Sequence, residues 1–439
     1  MIDRGISMKR IAICGLSNRA LSMFIKPMLE RYSNVASIVA LLDQDSKRKQ
    51  IVKNDYPELA GVRFFLPEAF ASMVESEQVD TLIVTSRDDT HVTYILQGLA
   101  YDLDVVCEKP MVTTAADAQR VLEAEKASKG TVTVAFNYRY NPIHLKIKEM
   151  VASGQLGKIT SVDLNWYIDT YHGASYFKRW NRMRAFSGGL SIHKSTHHFD
   201  LVNWWLAQNP KEVFAYGNLH YYGPQSEWNP SKQNGRHCGT CTETDKCAYY
   251  VRWFGRSTNH AIKDDHLLAG QNMDAYSNYR PDACIFDEEI EIEDTYTVAA
   301  LYEHGAQLSY SVNFSLPYEG YRLAINGTEG RLETQEYHAP ARIPFPVPDQ
   351  QVIDFYPLFG AKETIYVVEQ EGGHGGGDTL IQEEIFLGES RDRPYRVLAG
   401  AEAGALAVAM GEGVWRSVKE KQPIKVNELL HASPTTSPD

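Results

Sequence analysis

Along the first 140 or so residues, short apolar runs alternate with longer stretches whose apolar positions recur at helical spacing. The runs are "RIAICG", "ASIVALLDQD", "DTLIVTSRDDTH" and "LDVVCEKPM"; "TAADAQRVLEAEKASKG" is one of the helical stretches, and "TVTVAFNYRYNP" closes the series. Continuous apolar strands separated by amphipathic helices predict a parallel, doubly wound α/β sheet. From about residue 143 the period changes to two. "KITSVDLNWYIDTY", "EDTYTVAALYEHGAQLSYSVNFSL" and "YRLAINGTEGRLETQEY" predict a large, open, mostly antiparallel sheet, with "NGTEG" as a turn. "AGAEAGALAVAMGEGVWRSVKEKQ" predicts a late helix packed between the two parts. The chain thus divides into an N-terminal α/β domain (8–142), a C-terminal α+β domain (143–430) and a flexible tail (431–439).

Bulk properties narrow the function class. The 439 residues are 43% hydrophobic and 23% charged, as expected of a globular protein with ample core. A formal charge of −12 argues against nucleic acid and anionic membrane surfaces as partners. No apolar run approaches the ~20 residues of a membrane span. The opening "MIDRGISMKRIAICG" enters a strand without an apolar leader, so a cytoplasmic protein is expected, with Met8 a candidate natural start.

Ligands of doubly wound sheets sit beyond the carboxyl ends of the strands, which directs attention to Asp43, Ser86, Arg87, Glu108, Lys109 and Asn137. The turn after the first strand, Gly15-Leu16-Ser17-Asn18-Arg19-Ala20, is a partial dinucleotide fingerprint of the Rossmann kind. Gly15 serves the tight turn, Ser17 stands where backbone must approach a pyrophosphate, and Ala20 is small enough for helix–strand packing. An ordinary strand-to-helix turn is the alternative. Asp43 is placed to take a ribose 2′-hydroxyl, which favours NAD over NADP; Arg19, Lys47 and Arg48 could reverse that preference. His91 completes the cofactor-side candidates.

"CEKPM", following "TSRDDTH" and preceding "FNYRYNP", resembles the glucose–fructose oxidoreductase / inositol dehydrogenase (Gfo/Idh/MocA) family. The resemblance continues in order through "GQLGKITSVDLNW", "GGLSIHKSTHHFDLVNWWL" and "AINGTEGRLE". It implies an NAD(P)-dependent oxidoreductase acting on a hydroxyl of a sugar, sugar derivative or cyclitol, and a homodimer or homotetramer. It places Lys109 beside nicotinamide and substrate, makes Pro110 a cis or sharply turned position, and makes His197 a candidate acid/base with Asp200 behind it. The family usually carries an aspartate where this chain has His193, and Ile-Gly where it has Lys194-Ser195; Ser86-Arg87 replaces the usual Thr-Pro.

"HKSTHHFD" (193–200) admits three readings. His193 and His197 have the spacing of two zinc ligands on a helix, but Lys194 occupies the place where zinc hydrolases need glutamate. A polar helix end satisfied by neighbours suits His198. Proton handling during hydride transfer suits His197 with Lys109, and His193 and Lys194 as further participants: histidine takes the hydroxyl proton, and a lysine ammonium polarises the oxygen. Further substrate-side candidates are Arg139, Tyr167, Trp180, Arg182 and His374. Trp180 and Arg182 belong to an aromatic, basic stretch, "TYHGASYFKRWNRMR", suited to a sugar ring.

Three motifs stand apart. Cys238, Cys241 and Cys247, with Cys284 or His237 as a fourth ligand, have the look of a small structural zinc loop; unliganded thiols and an iron–sulfur cluster are the alternatives. Cys14 and Cys107 read as core residues. "EGGHGGGD", with His374 and Asp378, resembles a stretch of the family's NAD-dependent glycosidases, which cleave by transient C3 oxidation and elimination; a glycine hinge is the alternative. A non-catalytic sugar or cofactor sensor on the same fold is the reading furthest from an enzyme.

Overall fold

The computed structural model describes residues 8–254, 279–368, 375–390 and 392–431. The N-terminal sheet has the order β15-β6-β5-β4-β1-β2-β3. Its strands are β1 (Lys9–Cys14), β2 (Ala36–Leu42), β3 (Arg63–Phe65), β4 (Thr81–Val84), β5 (Asp104–Cys107), β6 (Val132–Val134) and β15 (Ala399–Gly400). The first six are parallel, and β15, arriving from the far end of the chain, is antiparallel to β6. Residues of β1 and β4 such as Ile13 and Ile83 are fully buried, as strands covered on both faces require.

The second sheet has the order β14-β13-β12-β11-β7-β10-β9-β8-β16. It comprises β7 (Ile159–Asp169), β8 (Pro210–Asn218), β9 (Thr295–Tyr302), β10 (Gln307–Leu316), β11 (Glu319–Gly327), β12 (Gly330–His338), β13 (Gln351–Pro357), β14 (Glu363–Val367) and β16 (Ile424–Lys425). All neighbours are antiparallel except β7 and β10, which run together. The alternation of Val162, Leu164, Trp166 and Ile168 buries one face of β7.

Two helices join the halves. Ala401–Glu420 lies against the helix Ala115–Ala127 of the first domain and against β8 and the helix Thr196–Leu206 of the second. Gly377–Leu387 packs on the segment after β6; a Cβ at Gly377 would stand 2.7 Å from the Asn137 carbonyl oxygen, so this approach needs glycine. Part of the glycine-rich stretch is therefore explained by close backbone packing. His374 lies outside the described residues, as do 432–439 of the expected tail.

Candidate active site

The turn after β1 depends on Gly15, whose φ is +91°. A Cβ there would come 2.4 Å from the Ser86 backbone, so the β1 and β4 turns touch. Asp43 holds this turn from below. It is buried, and its carboxylate accepts the Leu16 N–H at 2.7 Å and the Asp45 N–H at 2.9 Å. Arg48, also buried, donates to the Leu16 carbonyl at 2.9 Å and pairs with Asp43 at 3.6 Å. These are corrections to the expected roles. Asp43 braces the loop and is not among the residues lining the cavity between the two domains, and Arg48 is internal.

Beyond the ends of β1, β4 and β5 a cavity of about 490 Å³ opens between the two domains. Ser17, Asn18, Arg19, Ser86, Arg87, His91, Glu108, Lys109, Asn137, Trp180, His193, Lys194 and His197, all candidates from the sequence, line it. Hydroxyls, amides and a guanidinium at a Rossmann turn are the donor set a dinucleotide's pyrophosphate and riboses require. Arg19 is anchored here by Glu108 at 2.7 Å and Asp378 at 3.3 Å, and the Asn137 amide donates to Asp378 at 2.6 Å. His91 ties the wall together, its ring nitrogens meeting the carbonyls of Pro110 at 2.9 Å and Ser86 at 3.0 Å. The Lys109–Pro110 peptide is cis.

"HKSTHHFD" is not one helix. Leu190–His193 ends with Lys194 as its cap, and a second helix starts at Thr196. The break leaves the His193 carbonyl without an intrahelical donor, and the Lys109 ammonium fills that place at 3.0 Å. His193, Lys194 and His197 still meet at the cavity despite the break. His193 Nδ1 lies 2.5 Å from Asp88 Oδ2, and the Asn181 amide is 3.2 Å from Nε2. Burial, then the charges of Lys109 and Arg179, hold the imidazole well below its usual pKa. Burial pushes Asp88 up to about 7, against the pull of His91 and Lys109. Burial also lowers Lys109, and brings Lys194 down to about 8. His197 packs on Tyr138 with ring centroids 4.5 Å apart. His198 is turned into the core, stacked 3.8 Å from Trp166 and bonded to the Tyr310 hydroxyl at 2.7 Å.

Three substrate-side candidates lie elsewhere. Arg139 forms a buried two-pronged ion pair with Asp200, at 2.6 and 2.7 Å. Arg182 is buried against Asp287, Glu289 and the carbonyls of Phe177 and Cys284. Tyr167 packs edge-on to Tyr318, 5.5 Å away. In each case an internal partner claims the polar or aromatic group the substrate was expected to meet. Asp88, Tyr138, His172, Tyr176, Arg179 and Asn181 line the cavity as well. Of these, Asp88 and Tyr138 were missed although they sit in the strand-end stretches "TSRDDTH" and "FNYRYNP"; extending the strand-end argument by one or two residues finds both. The four clustered cysteines are free thiols, and among the described residues no group of three His, Cys, Asp or Glu side chains is arranged to hold a metal ion. Among those residues no helix is long and apolar enough to cross a membrane.

Residues 9–136 match the sequence model described as "Oxidoreductase family, NAD-binding Rossmann fold", and 148–426 match "Oxidoreductase family, C-terminal alpha/beta domain". The chain is 63% identical over 424 residues to a Bacillus subtilis (strain 168) protein named "Putative oxidoreductase YteT", covering 96% of this chain and 99% of that one. It is 29% identical over 188 residues to the inositol 2-dehydrogenase of Rubrobacter xylanophilus, 42% of this chain and 48% of the relative. An oxidoreductase from Agrobacterium radiobacter, solved with NAD+, L-tartaric acid and magnesium, shares the fold with a TM-score of 0.63 at 14% identity, over 97% of this chain and all of its own. By fold, site and sequence together, the chain belongs to the Gfo/Idh/MocA family of oxidoreductases, with an NAD-binding Rossmann domain and a C-terminal α/β domain.

Proposed function

We propose that the cleft oxidises a hydroxyl-bearing carbon of a sugar, sugar derivative or cyclitol, or reduces the corresponding ketone. The observation that carries this reading is the convergence of Lys109, His193, Lys194 and His197 with the fingerprint residues on one cavity. A bound nicotinamide dinucleotide supplies the hydride acceptor or donor there. Ser17, Asn18 and Arg19 would hold its pyrophosphate side, and Lys109 would stand at its reactive end.

The chain's own groups manage the proton and the oxygen. The Lys109 ammonium, fixed by the His193 carbonyl, holds the substrate hydroxyl and stabilises the negative charge that develops on it. The His197 imidazole takes the hydroxyl proton during oxidation and returns it during reduction. Asp88 and His193 form a buried pair behind Lys109, and the carboxylate keeps the lysine charged against the cost of burial. Tyr176, Trp180 and Asn181 supply the aromatic and amide surface suited to a ring with several hydroxyls.

A panel of free sugars, sugar acids and cyclitols, followed by nicotinamide absorbance with NAD and with NADP, tests this reading. Lys109→Met is expected to lower kcat at least ~10³-fold, and His197→Gln by ~10²–10⁴-fold, with dinucleotide binding retained. Glycoside cleavage without net nicotinamide reduction would replace it with the redox-neutral reaction. Sugar binding without turnover under any condition would replace it with a sensor.

A further inference from the structure

We propose that Cys238, Cys241, Cys247 and Cys284 form a closed structural zinc site. The four thiols come from separate points of the long connection between β8 and β9, yet they line one cavity of about 20 Å³. That is room for one atom of about water size. Cys284 is brought in by short backbone pairing: the Cys284 N–H donates to the Arg236 carbonyl, and the Cys238 N–H to the Asp282 carbonyl, each at 2.8 Å. His237 is the weaker claimant for a fourth position. It is absent from the cavity wall, and its Nδ1 is engaged by Asp282 at 3.1 Å.

Two further observations favour a cation held by thiolates. A Zn²⁺ ion with four cysteine thiolates carries a net charge of −2, which must be offset when buried. Arg236, itself buried, lines the cavity, and the buried Lys178 ammonium sits 5.1 Å over the ring of Tyr249, another lining residue. The described apolar residues of the connection, Tyr222, Ile285 and Phe286 among them, pack into the main core of the protein. The connection's described elements are two short 3-10 turns, Cys238–Thr240 and Thr244–Lys246, and the helix Ala248–Phe254. Short described elements of this kind, joined by irregular backbone, are ones a metal staple would hold together. Among the described residues the free thiols are not arranged around one centre, so metal binding requires their side chains to turn inward to other rotamers. On binding, each thiol releases its proton to solvent and no redox change occurs. All four positions are then filled by protein, so the metal has no open site for chemistry.

The site also reaches the catalytic cleft. The guanidinium of Arg182 bonds to the Cys284 carbonyl and to Phe177 and Asp287, and the Lys178 carbonyl accepts the Ala283 N–H at 3.2 Å. Zinc therefore fixes the segment that carries Tyr176, Arg179 and Trp180 to the cavity.

Metal analysis of the full-length protein, purified without chelator or added metal, is the test, paired with titration of reactive thiols before and after a strong chelator. About one zinc per chain is expected, with the cluster thiols protected until chelation. Cys241→Ser is expected to lower zinc content severalfold and raise substrate KM, leaving dinucleotide affinity unchanged. Metal-free protein with four freely reactive cluster thiols overturns the proposal. So does iron with inorganic sulfide, or a disulfide found by mass spectrometry. Because the parent's metal content is read directly, the test holds even if a cysteine variant fails to fold.

Discussion

Asp88→Asn should raise stability and lower activity, in a way that pH separates. Asp88 is buried and titrates near 7 in the folded chain, against 3.8 when exposed. An acid whose pKa is raised by folding binds its proton more tightly in the native state. Its favourable contribution is therefore present below the unfolded pKa and is lost as pH rises through the folded one. Well inside that window each pH unit costs the folded chain about 1.4 kcal/mol, falling towards zero above the folded pKa, so between about pH 5 and about pH 7 the loss reaches roughly 2 kcal/mol. Asparagine does not titrate, and its side-chain oxygen can still accept from His193. The gap in unfolding free energy between variant and parent should therefore widen in the variant's favour by roughly 2 kcal/mol over those two units and level off above about pH 8. Denaturant unfolding of both proteins at several pH values measures the gap; titrating groups remote from Asp88 cancel in the difference, while Lys109, whose charge Asp88 supports, contributes only at higher pH. Activity should fall at least ~10²-fold, because Lys109 loses its counter-charge and His193 its charged partner. A gap that stays flat or narrows with rising pH would refute the assignment of Asp88 as a carboxyl held unfavourably for function.

Two further outcomes follow from the packing. Arg139→Met or Asp200→Leu alone strands a buried charge and should cost about 3–5 kcal/mol in unfolding free energy, while the double variant recovers much of the loss; equal losses in all three would contradict the pairing. Gly15→Ala places a Cβ against the Ser86 backbone at positive φ and should lower both thermal stability and dinucleotide affinity, read by scanning calorimetry and fluorescence titration; unchanged affinity would sever the turn from cofactor binding.

The sequence made the double sheet legible because both periods, continuous apolar runs and strict alternation, record burial directly. It made β13 and β14 hard to see, since strands such as "ETIYV" near the sheet's edge are half-exposed and carry little contrast. Most strand-end residues named from sequence line the cavity because the topology of a parallel sheet leaves them little choice. What failed depended on partners distant in the chain. Arg139 meets Asp200, Arg182 meets Asp287, and Asp43 turns under its own loop. No local pattern distinguishes an arginine that binds substrate from one that binds an aspartate 61 or 105 positions away. The helix break at Lys194 is likewise tertiary. Leu190–His193 and Thr196–Leu206 read as one periodic stretch, and Lys109 completes the gap between them from another domain.

The bracing of the aromatic wall by the β8–β9 connection has a consequence for how this protein can diversify. One side of the reaction chamber, from Ser17 to Lys109, is built on strand ends that a change of sequence would disturb only at the expense of the sheet. The opposite side rests on the second sheet, where His172 meets Glu319 and Tyr176 packs on Phe314, and is tied to the connection through Arg182 and a few carbonyl contacts. Under the proposed reaction, the connection's length and sequence can vary while the strand-end side of the cavity stays constant. New substrates would then be acquired by rebuilding the connection, long before any residue that moves a proton has to change.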